Sequence, residues 1–305
     1  MKLITNQQVT ELITNADAIA SMRAAFSTIS HSAQQARVRT QAGSTALASM
    51  GAVLPDSGVA GCKVYTTVNG QFRFVIILFA TDDGRPLAAI EADTMTGFRT
   101  AAATAVVTDA LARSDARTLA VIGTGVQASA HIPALLAVRP FKEILIAGRG
   151  KENEFAAQVA AATGVPARGV SIDDAVQGGD VLVTVTRAKT PLFSGKLLRS
   201  GVFVAAVGAS KKDVRELDDV AIQRANALVV EWKPQAQIEA GDLLLCAPGT
   251  FEWDAVHELG PVIEGTSGYS RAPNDIVIYK AIGVGLEDIA LAGLVYRRAA
   301  QRYGW

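Results

Sequence analysis

Thr118-Leu119-Ala120-Val121-Ile122-Gly123-Thr124-Gly125-Val126-Gln127-Ala128 is the stretch on which the fold turns. Its first five residues form a short apolar run of the kind that makes a strand buried on both faces, and Val126 to Val138 then reads as a helix. Between them lies G-x-G-x-x-A. The first glycine makes a tight turn, and the second lets the backbone come close to a pyrophosphate. The small Ala128 lets the helix pack tightly on the strand, so the diphosphate meets the positive helix end. With a strand before it and a helix after it, the hexapeptide signals dinucleotide binding.

The same texture continues downstream. Glu143 to Ala147, Val181 to Val185, Val202 to Val207 and Ala227 to Val230 are further apolar strand candidates, and Glu152 to Ala162 is a helix. Strand and helix in alternation, joined by short connections, predict a parallel, doubly wound sheet of the Rossmann type. The end of the second strand reads Ala147-Gly148-Arg149-Gly150-Lys151, with two cations where a carboxylate would accept from the ribose hydroxyls. Arg149 therefore predicts NADPH, with NADH as the alternative. Glu152 follows closely and is read as the start of the next helix.

Upstream the pattern differs. Val9, Leu12 and Ile13 recur at helical spacing behind Thr5 or Asn6, and Asn15 to Ile29 gives a second helix. Ala60 to Val68, Phe72 to Thr81 and Leu87 to Ala92 then read as strands separated by turn signals such as Asn69-Gly70, an antiparallel series. Thr100 to Ala112 reads as an Ala-rich helix and Ile276 to Tyr303 as a helical tail. The tail's stripe of Leu286, Ile289, Ala290 and Leu294 needs a surface to cover. The expected division is therefore 1–116 with 284–305 as an α+β substrate-binding and dimerisation domain, and 117–283 as the nucleotide domain.

Composition narrows the function classes. The 305 residues are 50% apolar and 19% charged, with 29 basic and 29 acidic side chains and no basic run, which argues against a nucleic-acid partner or a disordered chain. The longest apolar stretch, Phe74 to Ala80, falls far short of the ~18 residues of a membrane span, so a cytoplasmic protein without a membrane partner is expected. Cys62 and Cys246 are isolated, and His31, His131 and His257 are scattered. No metal site is expected.

A second constellation consists of cations among small or apolar neighbours: Arg39 in Arg37-Val38-Arg39-Thr40, Lys63 in Gly61-Cys62-Lys63-Val64 and Arg99 in Gly97-Phe98-Arg99-Thr100. Brought together, two guanidinium groups and an ammonium would bind a small carboxylate and leave a proton donor near its α-substituent.

Four segments carry a wider likeness: Arg99-Thr100-Ala101-Ala102-Ala103-Thr104-Ala105; Val121 to Ala128; Val207-Gly208-Ala209-Ser210 with Arg215-Glu216-Leu217-Asp218; and Lys280-Ala281-Ile282-Gly283 with Leu286-Glu287-Asp288. In order and spacing the chain resembles the ornithine cyclodeaminase/mu-crystallin family. The resemblance implies a Rossmann domain and a dimerising domain with an open, barrel-like sheet, with the active site between them, and a homodimer. It implies Arg39, Lys63 and Arg99 as substrate-carboxylate cations and Gly123, Thr124, Gly125, Val126 and Gln127 as the pyrophosphate loop. Arg149 matches the 2′-phosphate position, Thr184, Val185, Thr186 and Val207 the nicotinamide side, and Ala281 and Ile282 a late loop closing over nicotinamide and substrate. Glu91 matches an acidic position of the family and is read as structural.

Two departures shape the expected activity. Where true ornithine cyclodeaminases carry an aspartate after Val-Gly-Gly or Val-Gly-Ala, this chain has Ser210, and where they carry a glutamate before the proline it has Met50-Gly51-Ala52-Val53-Leu54. Without those carboxylates the site is poorly suited to ornithine's cationic side chain. The expectation is NADPH-dependent reduction of a small cyclic ketimine carboxylate, 1-pyrroline-2-carboxylate to L-proline, with the six-membered homologue as second substrate. Lys63, Ser210 through water, or the already protonated substrate are the candidate proton sources, and Arg99 anchors the carboxylate. Ornithine cyclodeamination, an alanine-dehydrogenase-like reaction and a non-enzymatic small-ligand role are the alternatives.

Overall fold

The computed structural model describes residues 1–305, which divide into two compact units: 1–103 with 283–305, and 104–282. The division falls inside a continuous helix, Asp93–Leu111, earlier than the expected boundary after residue 116. No helix is long and apolar enough to cross a membrane.

The first unit is built on a seven-stranded sheet in the order Lys2–Ile4, Pro86–Glu91, Gln71–Ala80, Val59–Val68, Thr45–Leu54, Ala33–Gln34, with Val38–Ala42 also on Thr45–Leu54. All pairings are antiparallel except that of Lys2–Ile4, a strand the sequence pattern did not suggest, which runs parallel to Pro86–Glu91. Asn69 and Gly70, both at positive φ, close the central hairpin, with Val68 facing Gln71. Thr5 and Thr14 each cap a helix through a capping box, Asn6–Leu12 and Asn15–Ser27. The Gly285–Tyr303 helix packs on the three longest strands and on the Asn15–Ser27 helix, burying Leu286, Ile289, Ala290 and Val295.

The second unit holds eight parallel strands in the order Ala167–Gly169, Glu143–Ala147, Thr118–Ile122, Val181–Thr184, Phe203–Ala206, Val277–Lys280, Ala227–Val230, His257–Glu258. Chain order reverses between Thr118–Ile122 and Val181–Thr184, so the crevice at their carboxyl ends is the switch point where such sheets take ligands. One expectation is overturned here: Ile276 to Tyr303 is not one helix. Val277–Lys280 is a fully buried strand paired on both sides, and Gly283, at φ 71, separates it from the helix. Its β-branched Val277 and Ile278 suit a central strand better than a helix.

Candidate active site

In the first unit, strand register gathers the cations. Met50 faces Lys63, and Lys63 faces Ile76, all on the buried face of the sheet. Lys63 is 1% exposed, with the rings of Tyr65 and Phe74 within 6 Å of its Nζ. Arg99 extends from the Asp93–Leu111 helix, which begins well before the expected Thr100. The hydroxyls of Thr96 and Thr100 bond back to Ala92 O and Thr96 O along it. Arg37 enters from the chain just before the Val38–Ala42 strand. Its Nε donates to Met50 Sδ at 3.3 Å and its NH2 to Gly283 O at 2.8 Å.

Two buried carboxylates from the first turn of the Gly285–Tyr303 helix meet these cations. Lys63 Nζ lies 2.8 Å from Asp288 Oδ1, Arg99 NH1 2.7 Å from Glu287 Oε2, and Arg99 Nε 3.3 Å from Asp288 Oδ1. Gly283 lies flat against Arg99. A Cβ there would stand 2.5 Å from NH1, so a larger residue would displace the guanidinium as well as strain the backbone. Burial first, then repulsion from Arg99 and Arg37, brings the Lys63 pKa down to about 7, against the opposing pull of Asp288.

Arg39 is not part of this buried group. It is exposed on the Val38–Ala42 strand, opposite Ala48, and the inward place beside Lys63 and Arg99 belongs to Arg37, two residues earlier on the same face. Glu91 accepts the Asn6 backbone N–H at 2.9 Å, at the start of a helix.

In the second unit, Gly123 has φ 128, and a Cβ there would lie 2.7 Å from Val185 O, across the switch point. Gly125 is different: its φ of −98 suits any residue, and a Cβ would meet no protein atom within 4 Å. Glycine there keeps the backbone open to an approaching group. Gly125 also precedes the Val126–Leu136 helix, whose start carries no side-chain cap. Thr124 packs beside Gly148, Val126 is exposed, and Gln127 has a buried Oε1 without a protein partner. His131 Nδ1–H donates to Gln127 O at 2.7 Å and fixes this turn. An open glycine backbone and an uncapped helix start fit a dinucleotide diphosphate.

Arg149 is exposed in the loop after Glu143–Ala147, as an arm for a phosphate would be. Glu152 begins the next helix as expected, yet its carboxylate turns back to accept Gly150 N–H at 2.8 Å.

The remaining segments are held by a buried polar network. Glu216 accepts from the hydroxyls of Thr184 and Thr186 and the N–H groups of Thr186 and Gly208, all at 2.7–2.8 Å. Asp242 accepts from the N–H groups of Glu216 and Leu217 and pairs with Lys280 at 3.0 Å; Lys280 also donates to Ala206 O and Ala209 O. These bonds brace the strand ends around Val185, Val207 and half-buried Ser210. Ala281 N–H bonds Ala206 O, and Ile282 N–H is held by both oxygens of buried Glu231. The side chains of Thr184 and Thr186 thus shape the loop. Arg37, Glu287, Asp288, Asp242 and Lys280 carried no assigned role from the sequence, although the last helix's acidic pair, set in an apolar run, was a visible anomaly.

No group of three or more His, Cys, Asp or Glu side chains is arranged to hold a metal ion. The parallel sheet and its glycine loop define a nicotinamide-nucleotide-dependent oxidoreductase. The sequence profile of the ornithine cyclodeaminase/mu-crystallin family matches residues 1–302, and the chain belongs to that family, on its NAD(P)H-dependent imine reductase side. It is 36% identical over 255 residues to a delta(1)-pyrroline-2-carboxylate reductase of Bacillus cereus, covering 82% of this chain and 76% of that one. The crystal structure of a probable ornithine cyclodeaminase from Bordetella pertussis Tohama I superposes with a TM-score of 0.97 at 46% identity, over 100% of this chain and 99% of that one. The Thermococcus litoralis delta(1)-pyrroline-2-carboxylate reductase in complex with NADH and L-proline gives 0.94 at 27% identity, over 99% and 98%.

Proposed function

We propose that the protein reduces a small cyclic ketimine carboxylate, foremost 1-pyrroline-2-carboxylate to L-proline, with NADPH as preferred cofactor and NADH as a second. The observation that carries this reading is the gathering of three basic side chains in one buried cluster. Arg37, Lys63 and Arg99 meet there beside Glu287 and Asp288, a set of guanidinium and ammonium donors that suits a small carboxylate. Arg99 and Arg37, in the place expected for Arg39, would hold the carboxylate, and Lys63 would lie beside the imine nitrogen. When bound, the nicotinamide supplies a hydride to the imine carbon.

Ornithine cyclodeamination is the second reading, favoured by the likeness to the Bordetella protein. Against it stand Ser210 in place of a carboxylate, the exposed position of Asp213 and the apolar Met50 to Leu54 run. Nicotinamide absorbance with NADPH and 1-pyrroline-2-carboxylate should fall. An unchanged absorbance together with ammonia release from L-ornithine would replace the first reading by the second.

The sheet of the first unit also carries Leu47, Val53, Val75 and Phe79 on the face opposite Lys63, each 38–43% exposed. This apolar face supports a homodimer closed by a second copy. Phe79→Glu should lower the mass measured by light scattering to that of one chain; an unchanged mass would rule this face out.

A further inference from the structure

Asp288 lies outside the carboxylate-binding set, yet the whole Lys63 site is organised around it. Lys63 is enclosed by Met50 from its neighbouring strand, Tyr65 from its own, Phe74 and Ile76 from the next, Arg37 from the chain before Val38, Arg99 from the Asp93–Leu111 helix, and Asp288 from the Gly285–Tyr303 helix. Two of these neighbours are cations and the rings and aliphatic groups exclude water. All of that disfavours a charged ammonium. Asp288 alone contacts Lys63 with the opposite charge, at 2.8 and 2.7 Å from its two oxygens, and Glu287 reaches Lys63 only through Arg99.

Resting on the reductase reading above, we propose that Asp288 is a positioning residue that keeps Lys63 protonated, so that Lys63 supplies the proton to the imine nitrogen. In that step the hydride forms the new C–H bond and the C=N π pair moves to nitrogen. The Lys63 ammonium proton forms the new N–H bond, which leaves a neutral amine that solvent recharges. The arrangement needs a lysine that exchanges its proton near neutrality. Burial and two arginines bring its pKa down to about 7, and Asp288 stops it from falling further.

The sign of the pH dependence follows. The donor form exists below the lysine's pKa, so kcat/KM should fall as pH rises through about 7. Asp288→Asn removes the only opposing charge in contact with Lys63 and should move that alkaline limb about one to three pH units lower. Arg37→Met removes a like charge and should move it higher, at the cost of a raised KM; this second variant serves if Asp288→Asn does not fold.

The measurement is kcat/KM for NADPH-driven reduction of 1-pyrroline-2-carboxylate across pH in the intact protein. Opposite displacements in the two variants support the proposal, as does the low-pH shift of Asp288→Asn alone. A limb that stays in place in both variants overturns it and assigns the proton to the substrate, whose own titration no substitution alters. No turnover in the unaltered protein would remove the reductase reading, an outcome distinct from turnover with an immobile limb.

Discussion

Each unit buries a charge cluster, and the two are composed differently. In the second unit, Glu216 and Asp242 outnumber Lys280, but the excess negative charge is met by the backbone N–H groups of Thr186, Gly208, Glu216 and Leu217. In the first unit the charges meet side chain to side chain: Arg37, Lys63 and Arg99 lie with Glu287 and Asp288. Backbone donors that satisfy a carboxylate also fix the chain that bears them, so the second cluster braces loops. Guanidinium and ammonium groups on long side chains can turn to an anion from outside, and on the proposed function the first cluster is a binding site where the second is scaffold.

The sharpest way to break this contrast is to neutralise one cation in each cluster. Lys280→Met leaves Asp242 buried without its counter-ion and should cost about 3–5 kcal/mol of stability, read by denaturant unfolding. Arg37→Met leaves Lys63 still paired with Asp288 and Arg99 with Glu287. It should cost clearly less stability while raising KM for the imine carboxylate about 30-fold or more, the effect of losing one buried partner of a carboxylate. If Arg37→Met unfolds the protein as readily as Lys280→Met, the first cluster is scaffold too.

The two regions also differed in how far the sequence revealed them. Strands such as Glu143–Ala147 and Ala227–Val230 stood out because parallel strands buried on both faces are short apolar runs with polar punctuation. Val277–Lys280 did not, since its four residues lead into the apolar stripe of the last helix, and pairing with Phe203–Ala206 and Ala227–Val230 sets it apart. The start of the Asp93–Leu111 helix was hidden by Thr94, Thr96 and Gly97, poor helix formers; Asn6 Oδ1, remote in sequence, accepts the Thr94 N–H there. Within the site, Lys63 and Arg99 were legible as isolated cations. Arg37 and Arg39 share a strand face, so their periodicity is the same. What separates them is where the sheet projects into solvent, a tertiary fact. Glu287 and Asp288 became meaningful only when the last helix was placed against the cations.

A smaller effect is expected at the cofactor end, where the second unit carries its own exposed cation. Arg149→Asp should shift the NADPH/NADH ratio of kcat/KM towards NADH by about tenfold or more, the order of one charge-assisted bond to a phosphate. Glu152, already bonded to Gly150 N–H beside that loop, provides the counter-test: Glu152→Gln should leave NADPH use intact. An unchanged ratio in Arg149→Asp would move the phosphate site elsewhere in the loop.

The smallest expected effect belongs to an ion pair outside both clusters. Arg298 donates to Asp17 Oδ2 at 2.7 Å, tying the last helix to the Asn15–Ser27 helix, and the arginine holds the Asp17 carboxyl well below the usual carboxylate range. Because the folded-state pKa is depressed, the pair's contribution is present above the ordinary aspartate value near 4. It is lost as pH falls below that towards the folded value. Both side chains are partly solvated, 37% and 23% exposed, so the pair should contribute no more than about 1 kcal/mol. Arg298→Ala should therefore lower stability slightly at pH 7 and leave it nearly unchanged at the acid end of the folded range. Urea unfolding at the two pH values checks this. A loss at pH 7 as large as that of Lys280→Met would mean that a solvated pair holds the first unit together as firmly as a buried one braces the second.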